Sequence, residues 1–578
     1  MDLLHDTETI EDLSALAWVH DELRRSLEMA HKAMRRYLKE ADAVAGSDVD
    51  AVDPGVLRSA RAQFHQGVGA LELVGLPTAA QVLRAGEAAL QKLTSGRPVK
   101  LTAAAVETIE QASFALLDYL ARLLAGKQVS PLALFPQYRA VQELAGADRI
   151  HPADLWPNDW QWRDLPVEAS VPRHADPALR DDVEAQTLIL MRQGGSAPAL
   201  ALSDLCAGLA AGTPANQKHL ATLWQMAAAF FEAQGQKLLK PDVYSKRIAS
   251  RLLAQLRISE RDPDGAASQD VSQRLAQDLL FFCAQAASPG DGRKAPRLAA
   301  VRLAWNLARR APVDYLAAAL GKHDPAWIAQ AKKRVAAAKE GWAAVAAGEM
   351  HRLSTLNEQF HLVGESLKRL FPMGERLASA LEATSAASVA AAAVPAPALA
   401  MEVATAVLYI EASLDEADFD HPQQAERVTR LAARINRVRE GAEPEPLDAW
   451  MEELYRRVSD RQTMGSVVQE LKGSLADVEK AIDLFFRQPA QRDGLHPVPA
   501  QLNAMRGVFS VLGLEHASHA VVRMRDDVDL MIAAPAGEPD PAATERLASN
   551  LGALGFLIDM FNVQPALAKS LFAFDPKA

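Results

Sequence analysis

The stretch His65-Gln-Gly-Val-Gly-Ala-Leu-Glu-Leu-Val-Gly-Leu76 recurs in altered form 438 residues later, as Asn503-Ala-Met-Arg-Gly-Val-Phe-Ser-Val-Leu-Gly-Leu514. The two stretches align without a gap, and Gly69 pairs with Gly507. Around the first stretch, apolar residues recur in steps of three and four, which predicts the buried face of an α-helix. Such an internal repeat indicates that one helical unit occurs twice.

Helical periodicity extends over nearly the whole chain, whereas alternation typical of β-strands is scarce. One apolar stripe marks a long first helix and consists of Leu16, Val19, Leu23, Leu27, Ala30, Met34 and Tyr37. A similar stripe near the C-terminus consists of Val468, Leu471, Leu475, Val478, Ile482 and Phe485. Amphipathic helices on short connections form bundles. The predicted fold class is therefore all-α, with several four-helix-bundle domains joined by linkers.

At 578 residues the chain is too long for one hydrophobic core, so it should divide into domains. Trp156, Trp160 and Trp162 mark one expected linker, and an Ala/Pro-rich segment marks another. The expected organisation is an N-terminal bundle over 1–147, a Trp/Pro-rich linker over 148–176, a helical middle domain over 177–376, an Ala/Pro-rich linker over 377–399 and a C-terminal bundle over 400–578.

The formal charge of −11 argues against nucleic acid and anionic membranes as partners, because both attract basic surfaces. A protein partner is expected instead. Neither a disulfide framework nor a Cys-based metal site is expected from Cys206 and Cys283 alone. The acidic N-terminus is unlike a secretory signal. The apolar segment 386–407 is interrupted by prolines and Glu402, so it predicts a flexible linker rather than membrane insertion.

The repeated stretch resembles the second helix of a histidine-phosphotransfer (HPt) domain, whose signature is His-x-x-Lys-Gly. In that signature the imidazole is the nucleophile that accepts the phosphoryl group. The lysine, one helical turn further on, neutralises phosphate charge. The glycine leaves room for a receiver domain to approach.

Each copy lacks one part of the signature. The first copy has a candidate acceptor, His65, and the clearing Gly69, but Val68 replaces the lysine. The second copy has Arg506 and Gly507, but Asn503 occupies the acceptor position, and an amide nitrogen does not accept phosphate. Val68, Gly69, Arg506 and Gly507 are the candidate residues for docking a response regulator.

Two further strings are weaker candidates. Gln469-Glu-Leu-Lys-Gly473 resembles the signature but lies on the first helix of its bundle, which favours coincidence. Phe360-His361 echoes Phe64-His65, but the following Gly364 comes one residue early. No nucleotide-binding, metal-binding or nucleophile motif occurs, so no catalytic residue, metal or cofactor is expected and the protein is predicted not to be an enzyme.

Several strings together resemble the N-terminal region of the ChpA/PilL type IV pilus chemosensory kinases and the shorter FimL proteins related to it. These strings are Leu13–Val19, Phe64–Leu76, Ala400–Tyr409, Asn503–Leu514 and Asn550–Met560. No kinase ATP-binding, CheW-like or receiver sequence accompanies them, which favours the FimL type.

The resemblance implies a cytoplasmic scaffold at the cell pole that regulates twitching motility and cyclic AMP. It also implies two partners, a CheY-like response regulator similar to PilG and a polar protein similar to FimV. FimL proteins are HPt-like but lack the phosphorylatable histidine, whereas this chain retains His65. Two alternatives stay open: an active phosphotransfer protein that uses His65, and an N-terminal fragment of a ChpA/PilL-type kinase.

Overall fold

The computed structural model describes residues 13–44, 55–95, 101–166, 168–261, 269–288, 294–307, 312–415, 423–489, 492–534 and 541–563. Within these ranges the regular structure is helical and no β-strand occurs. The predicted all-α fold class is therefore confirmed, while the division into four-helix bundles stays a prediction. The chain forms two compact units, whose described residues belong to 26–116 and 129–320 in the first unit and to 10–25, 117–128 and 321–578 in the second.

The N-terminal helices are α1 (Leu13–Val44), α2 (Gly55–Leu73), α3 (Pro77–Thr94) and α4 (Ala103–Leu124). Within the first unit, α1 and α4 are joined by the Arg35–Glu110 ion pair, in which Arg35 Nε lies 2.6 Å from Oε1. His31 also packs edge-on against Phe114, with ring centroids 5.6 Å apart. The Arg35 guanidinium therefore binds the buried Glu110 carboxylate at two points, and this pairing fixes how α1 and α4 are aligned along their axes.

A tight turn at Gly75 joins α2 to α3. Its φ of +77° is readily available only to glycine, and Leu76 N–H donates to the Leu71 carbonyl at 2.8 Å. Gly513 has a φ of +76°, and Leu514 N–H donates to the Phe509 carbonyl at 2.9 Å. The repeat seen in the sequence therefore extends to the turn that follows the helix.

The rest of the first unit contains seven helices among its described residues. They are α5 (Phe135–Ala145), α6 (Pro177–Gln193), α7 (Ser196–Gly212), α8 (Lys218–Gly235), α9 (Val243–Arg261), α10 (Gln269–Gln285) and α11 (Pro296–Ala304). The predicted Trp/Pro-rich linker contains a short 3-10 helix, Pro152–Leu155. Trp160 stacks on Trp305 with ring centroids 6.1 Å apart. The tryptophans of this segment therefore pack within the first unit.

Asp278 is a fully buried carboxylate on α10. Arg149 Nη2 lies 2.6 Å from its Oδ1, and Arg251 Nη1 forms an ion pair with its Oδ2. A buried carboxylate is stable only when charged partners or hydrogen bonds compensate the loss of water. The two arginines supply that compensation and tie the segment before Pro152 to α9 and α10.

In the second unit, five helices surround one core. They are α12 (Pro325–Ala346), α13 (Leu353–Leu370), α14 (Gly374–Ala391), α15 (Pro397–Asp415) and α16 (Gln424–Arg439). Their core cluster runs from Ala331 to Leu454. The predicted middle domain over 177–376 does not coincide with this boundary, because the first unit ends at Leu320 and α12 and α13 belong to the second, and the division into domains stays a prediction. The sequence did not indicate this boundary, because alanine-rich helices lie on both sides of it.

Most of the predicted Ala/Pro-rich linker over 377–399 is helical in the structure. Residues through Ala391 are helical, and Leu377, Ala380 and Leu381 are buried in the core. Small alanine side chains here allow helices to approach closely rather than leaving them unpacked. Proline begins the next helix, α15, instead of ending one, because a first helical position needs no N–H donor.

Helix α15 is the one described helix that is long and apolar enough to cross a membrane, with a mean hydropathy of 1.3. Over half of it is buried, and it packs as a core helix of a soluble protein does. Glu402 on this helix accepts two hydrogen bonds from Arg434 on α16, from Nε at 2.8 Å and Nη2 at 2.7 Å. Both side chains are buried, so the apolar helix carries a compensated charge.

The last four helices share a separate core. They are α17 (Ala449–Arg487), α18 (Val498–Val511), α19 (Glu515–Ala533) and α20 (Pro541–Val563). Their core cluster begins at Val468, whereas residues 400–454 contribute to the preceding core. The core boundary thus differs from the predicted start of the C-terminal domain at residue 400, and that domain stays a prediction. Helix α17 runs without a break from one core into the other, and its residues 459–463 between them are exposed.

Candidate functional site

The candidate acceptor His65 lies on an exposed face of α2. The preceding residue, Phe64, is buried and packs so closely on Gly86 of α3 that a Cβ there would lie 2.7 Å from Phe64 Cε1. Neighbouring residues of a helix point about 100° apart, so burying Phe64 turns His65 outward. The His65 side chain is 74% exposed. It is therefore accessible to a partner protein.

A glutamate on α3 pairs with this histidine. Glu87 Oε2 lies 3.1 Å from His65 Nδ1, and Glu87 Oε1 lies 3.3 Å from Arg61 Nε. When Nδ1 carries the ring proton, it donates to Glu87 and leaves the lone pair on Nε2. The pair of His65 and Glu87, called the His–Glu dyad below, thus favours the tautomer in which Nε2 is the nucleophile.

Val68 does not belong to the exposed surface. Only 5% of its area is exposed, and it packs in the core beneath α2. This burial does not favour a contact between Val68 and a response regulator, and that contact stays a prediction. A cation is nevertheless present, because Arg61 lies one helical turn before His65 and contacts the same Glu87.

Gly69 lies one turn beyond His65, and a Cβ placed there would meet no atom within 4 Å. The helix itself therefore does not require a glycine at this position. A surface glycine of this kind leaves the backbone open to close approach from outside. The geometry fits the predicted role of Gly69, and that role stays a prediction.

The C-terminal copy has the same register on α18. Leu502, Met505 and Phe509 are buried, while Asn503, Arg506 and Gly507 are exposed. A Cβ at Gly507, as at Gly69, would meet no atom within 4 Å. Both the acceptor position and its neighbours therefore lie on the surface, as the repeat predicts.

Both members of the dyad are replaced in the C-terminal copy. Asn503 stands where His65 stands, and the residue 438 positions after Glu87 is Arg525. An amide and a guanidinium cannot reproduce an imidazole held by a carboxylate. The C-terminal copy therefore has a helix of the same register but lacks the histidine and the glutamate of the first copy.

Sequence reasoning missed Glu87 and Arg61. Glu87 lies on a different helix from His65, and the helical signature contains no position that specifies it. Arg61 precedes the signature, so the search for a cation after the histidine did not include it. Among the described residues, no group of three or more His, Cys, Asp or Glu side chains could hold a metal ion.

The fold and these surfaces define an all-helical protein of repeated helix pairs. Two family models match it: the FimL scaffold protein second domain over residues 168–318 and the FimL C-terminal domain over residues 459–573. Two regions of the chain are therefore similar to domains of FimL scaffold proteins. No curated protein matches the chain, and no solved structure does. Neither family match covers the His–Glu dyad on α2 and α3.

Proposed function

We propose that this chain is a scaffold of type IV pilus signalling that docks a CheY-like receiver domain, similar to PilG, on the exposed faces of α2 and α18. The FimL domains support the scaffold class. A FimV-like polar protein is the second proposed partner, with the cytoplasm at the cell pole as the proposed location. Regulation of twitching motility and cyclic AMP follows from these associations.

One observation carries the docking proposal. His65, Gly69 and Leu73 lie one turn apart on a single face of α2, called the α2 docking face, and Leu73 is 90% exposed. Leu73 is among the most exposed large apolar side chains of the described residues, and beside the open Gly69 it is available for a protein partner to cover.

The corresponding face of α18 has the same three positions. Asn503, Gly507 and Val511 lie one turn apart, and Val511 is 88% exposed. An exposed apolar residue at the same register in both copies is better explained by a shared docking role than by chance. Because Asn503 cannot accept phosphate, docking at α18 does not depend on phosphotransfer.

The α2 docking face is tested with Leu73→Glu and the control Ser59→Glu, which adds the same charge to another exposed part of α2. Binding of the receiver is measured by calorimetry. Placing a charge at the centre of an interface should weaken binding at least about tenfold, while the control should bind as the wild type does. Equal affinities for all three proteins would contradict docking at this face.

A second candidate function is phosphotransfer at His65, and the His–Glu dyad favours it. Nε2 would attack the aspartyl phosphate of a receiver, the P–O bond to aspartate would break, and the Nδ1 proton would stay directed at Glu87. Arg61 supplies a cation next to the site. Arg61 could therefore take the part of the lysine that the first copy of the signature lacks.

The two candidates are separated with His65→Ala and Glu87→Gln, each incubated with phosphorylated receiver. Label is located by residue with mass spectrometry. If α2 docks the receiver without phosphotransfer, His65→Ala binds normally and the wild type carries no acid-labile label at His65. If His65 accepts phosphate, the wild type is labelled at His65, and Glu87→Gln is labelled there more slowly. Loss of receiver binding in His65→Ala would contradict the phosphate-free candidate.

A further inference from the structure

Helices α13 and α14 repeat the burial pattern of the α2–α3 pair. On the first helix of each pair, the buried residues correspond at an offset of 296 residues: Leu57 with Leu353, Ala60 with Leu356, Phe64 with Phe360, Gly67 with Val363, and Leu71 with Leu367. On the second helix the offset is 295, and it relates Val82 to Leu377, Leu83 to Ala378, Ala85 to Ala380, and Gly86 to Leu381. Few of these residues are identical, so the two helix pairs correspond in which positions are buried rather than in sequence.

This register places His361 at the position of His65 and Glu382 at the position of Glu87. His361 Nδ1 lies 3.3 Å from Glu382 Oε1, compared with 3.1 Å in the first pair. The His361 side chain is 61% exposed, so it too faces outward beside a buried phenylalanine. The same neighbours and nearly the same distance thus recur in a different unit of the protein.

The early glycine, Gly364, is explained by the glutamate. A Cβ at Gly364 would lie 2.4 Å from Glu382 Oε1, so a larger residue there would require the Glu382 carboxylate to move from its place beside His361. Glu382 Oε1 is buried and has no well-directed hydrogen bond among the described residues. Its charged neighbours are His361 and Lys368, whose Nζ lies 3.9 Å away. Gly364 therefore leaves space for the Glu382 side chain to lie beside His361.

We propose that His361 is a second phosphoryl-accepting histidine, with a receiver aspartyl phosphate as donor. Nε2 attacks phosphorus, the new N–P bond forms as the P–O bond to aspartate breaks, and the carboxylate leaves. The ring proton stays on Nδ1, which lies 3.3 Å from Glu382 Oε1, and Lys368 offsets the charge of the bound phosphoryl group. The donor rests on the proposed function, while the reactivity of His361 does not.

The reactivity is tested first with phosphoramidate, a small donor that needs no receiver and releases ammonia. Phosphohistidine is located by mass spectrometry at neutral pH in the full chain. His351 is the internal control, because it is 76% exposed in the same unit but its ring nitrogen lies 3.9 Å from its nearest carboxylate. His361 should be labelled about tenfold faster than His351.

Two variants show whether the dyad causes the difference. Glu382→Gln should reduce labelling of His361 to the His351 rate and leave His65 unchanged, whereas Glu87→Gln should affect His65 alone. Circular dichroism is used to check that each variant folds. Lys368→Met is a second variant, outside the pair of His361 and Glu382, and it should also slow labelling of His361. Equal rates at His361 and His351, or no effect of Glu382→Gln, would overturn the proposal.

Phosphorylated receiver is then offered to the same proteins. Labelling of His361 by phosphoramidate but not by any receiver of the organism would refute the aspartyl phosphate donor, while the acceptor itself would stand and docking at α2, which calorimetry tests, would be unaffected. Labelling by both donors supports both proposals. Labelling by neither refutes His361 as an acceptor without bearing on docking at α2.

Discussion

The buried Glu402–Arg434 pair allows a sharp test of how α15 is held in the core. In Glu402→Gln the side chain keeps its shape but loses its charge, which leaves the Arg434 guanidinium buried opposite a neutral amide. Removing one partner of a buried pair costs about 3–5 kcal/mol. Arg434 also donates to the carbonyls of Pro446 at 2.8 Å and Glu445 at 2.7 Å, so we expect the lower limit, about 3 kcal/mol.

Hydrogen exchange by mass spectrometry measures this loss locally, which is necessary because a chain with several cores does not unfold in one step. Peptides from α15 and α16 should exchange about 150-fold faster in Glu402→Gln, since each 1.4 kcal/mol is a factor of about ten. The control is Lys339→Gln, which breaks a half-exposed pair with Glu411 at 2.7 Å in the same core. It should cost less than about 1 kcal/mol.

The reasoning would be refuted if Glu402→Gln changed exchange no more than Lys339→Gln does. A further variant separates charge burial from packing. Replacing both partners, as in Glu402→Leu with Arg434→Met, removes the uncompensated charge, and it should restore most of the protection. If the double variant is as unprotected as Glu402→Gln, packing rather than charge holds these helices.

Three other outcomes follow from the first unit. Gly75→Ala should lower the local free energy of unfolding by about 1–2 kcal/mol, because its φ is positive, whereas Gly69→Ala in the open helix should not lower it; hydrogen exchange in α2 and α3 compares the two. Asp278→Asn should cost about 2–3 kcal/mol, measured by hydrogen exchange in α9 and α10, because it removes the charge that its two arginines share. Burial lowers the pKa of His31 to about 4, so the unfolded chain binds more protons below its ordinary value of 6.5. The free energy of unfolding should therefore fall by about 3 kcal/mol from pH 6.5 to 4, and His31→Phe should flatten that part of the stability curve.

The helices and the repeat could be predicted from sequence because burial follows local periodicity. The stripe from Leu16 to Tyr37 lies in α1, and the two copies of the repeat lie on α2 and α18 with matching buried faces. Gly75 and Gly513 also mark the same turn. Each of these features depends on residues within a few turns of one another.

The domain boundaries and the dyads could not be predicted in this way. Alanine-rich helices on either side of Leu320 have the same composition, so nothing local shows which core each one joins. Glu87 and Glu382 reach their histidines from a neighbouring helix, and only the packing of that helix pair brings them together. Gly364 looked misplaced because its role concerns that packing rather than a partner.

Because helix α17 is unbroken, it fixes the angle about its own axis at which the two cores are attached. Leu454 is the last buried residue of one core and Val468 the first of the next, with exposed turns between them. Each residue turns a helix by about 100°, so inserting one residue in this stretch would swing the α18 surface to another side of the molecule. The length of that stretch therefore determines in which direction a protein bound at α18 is presented.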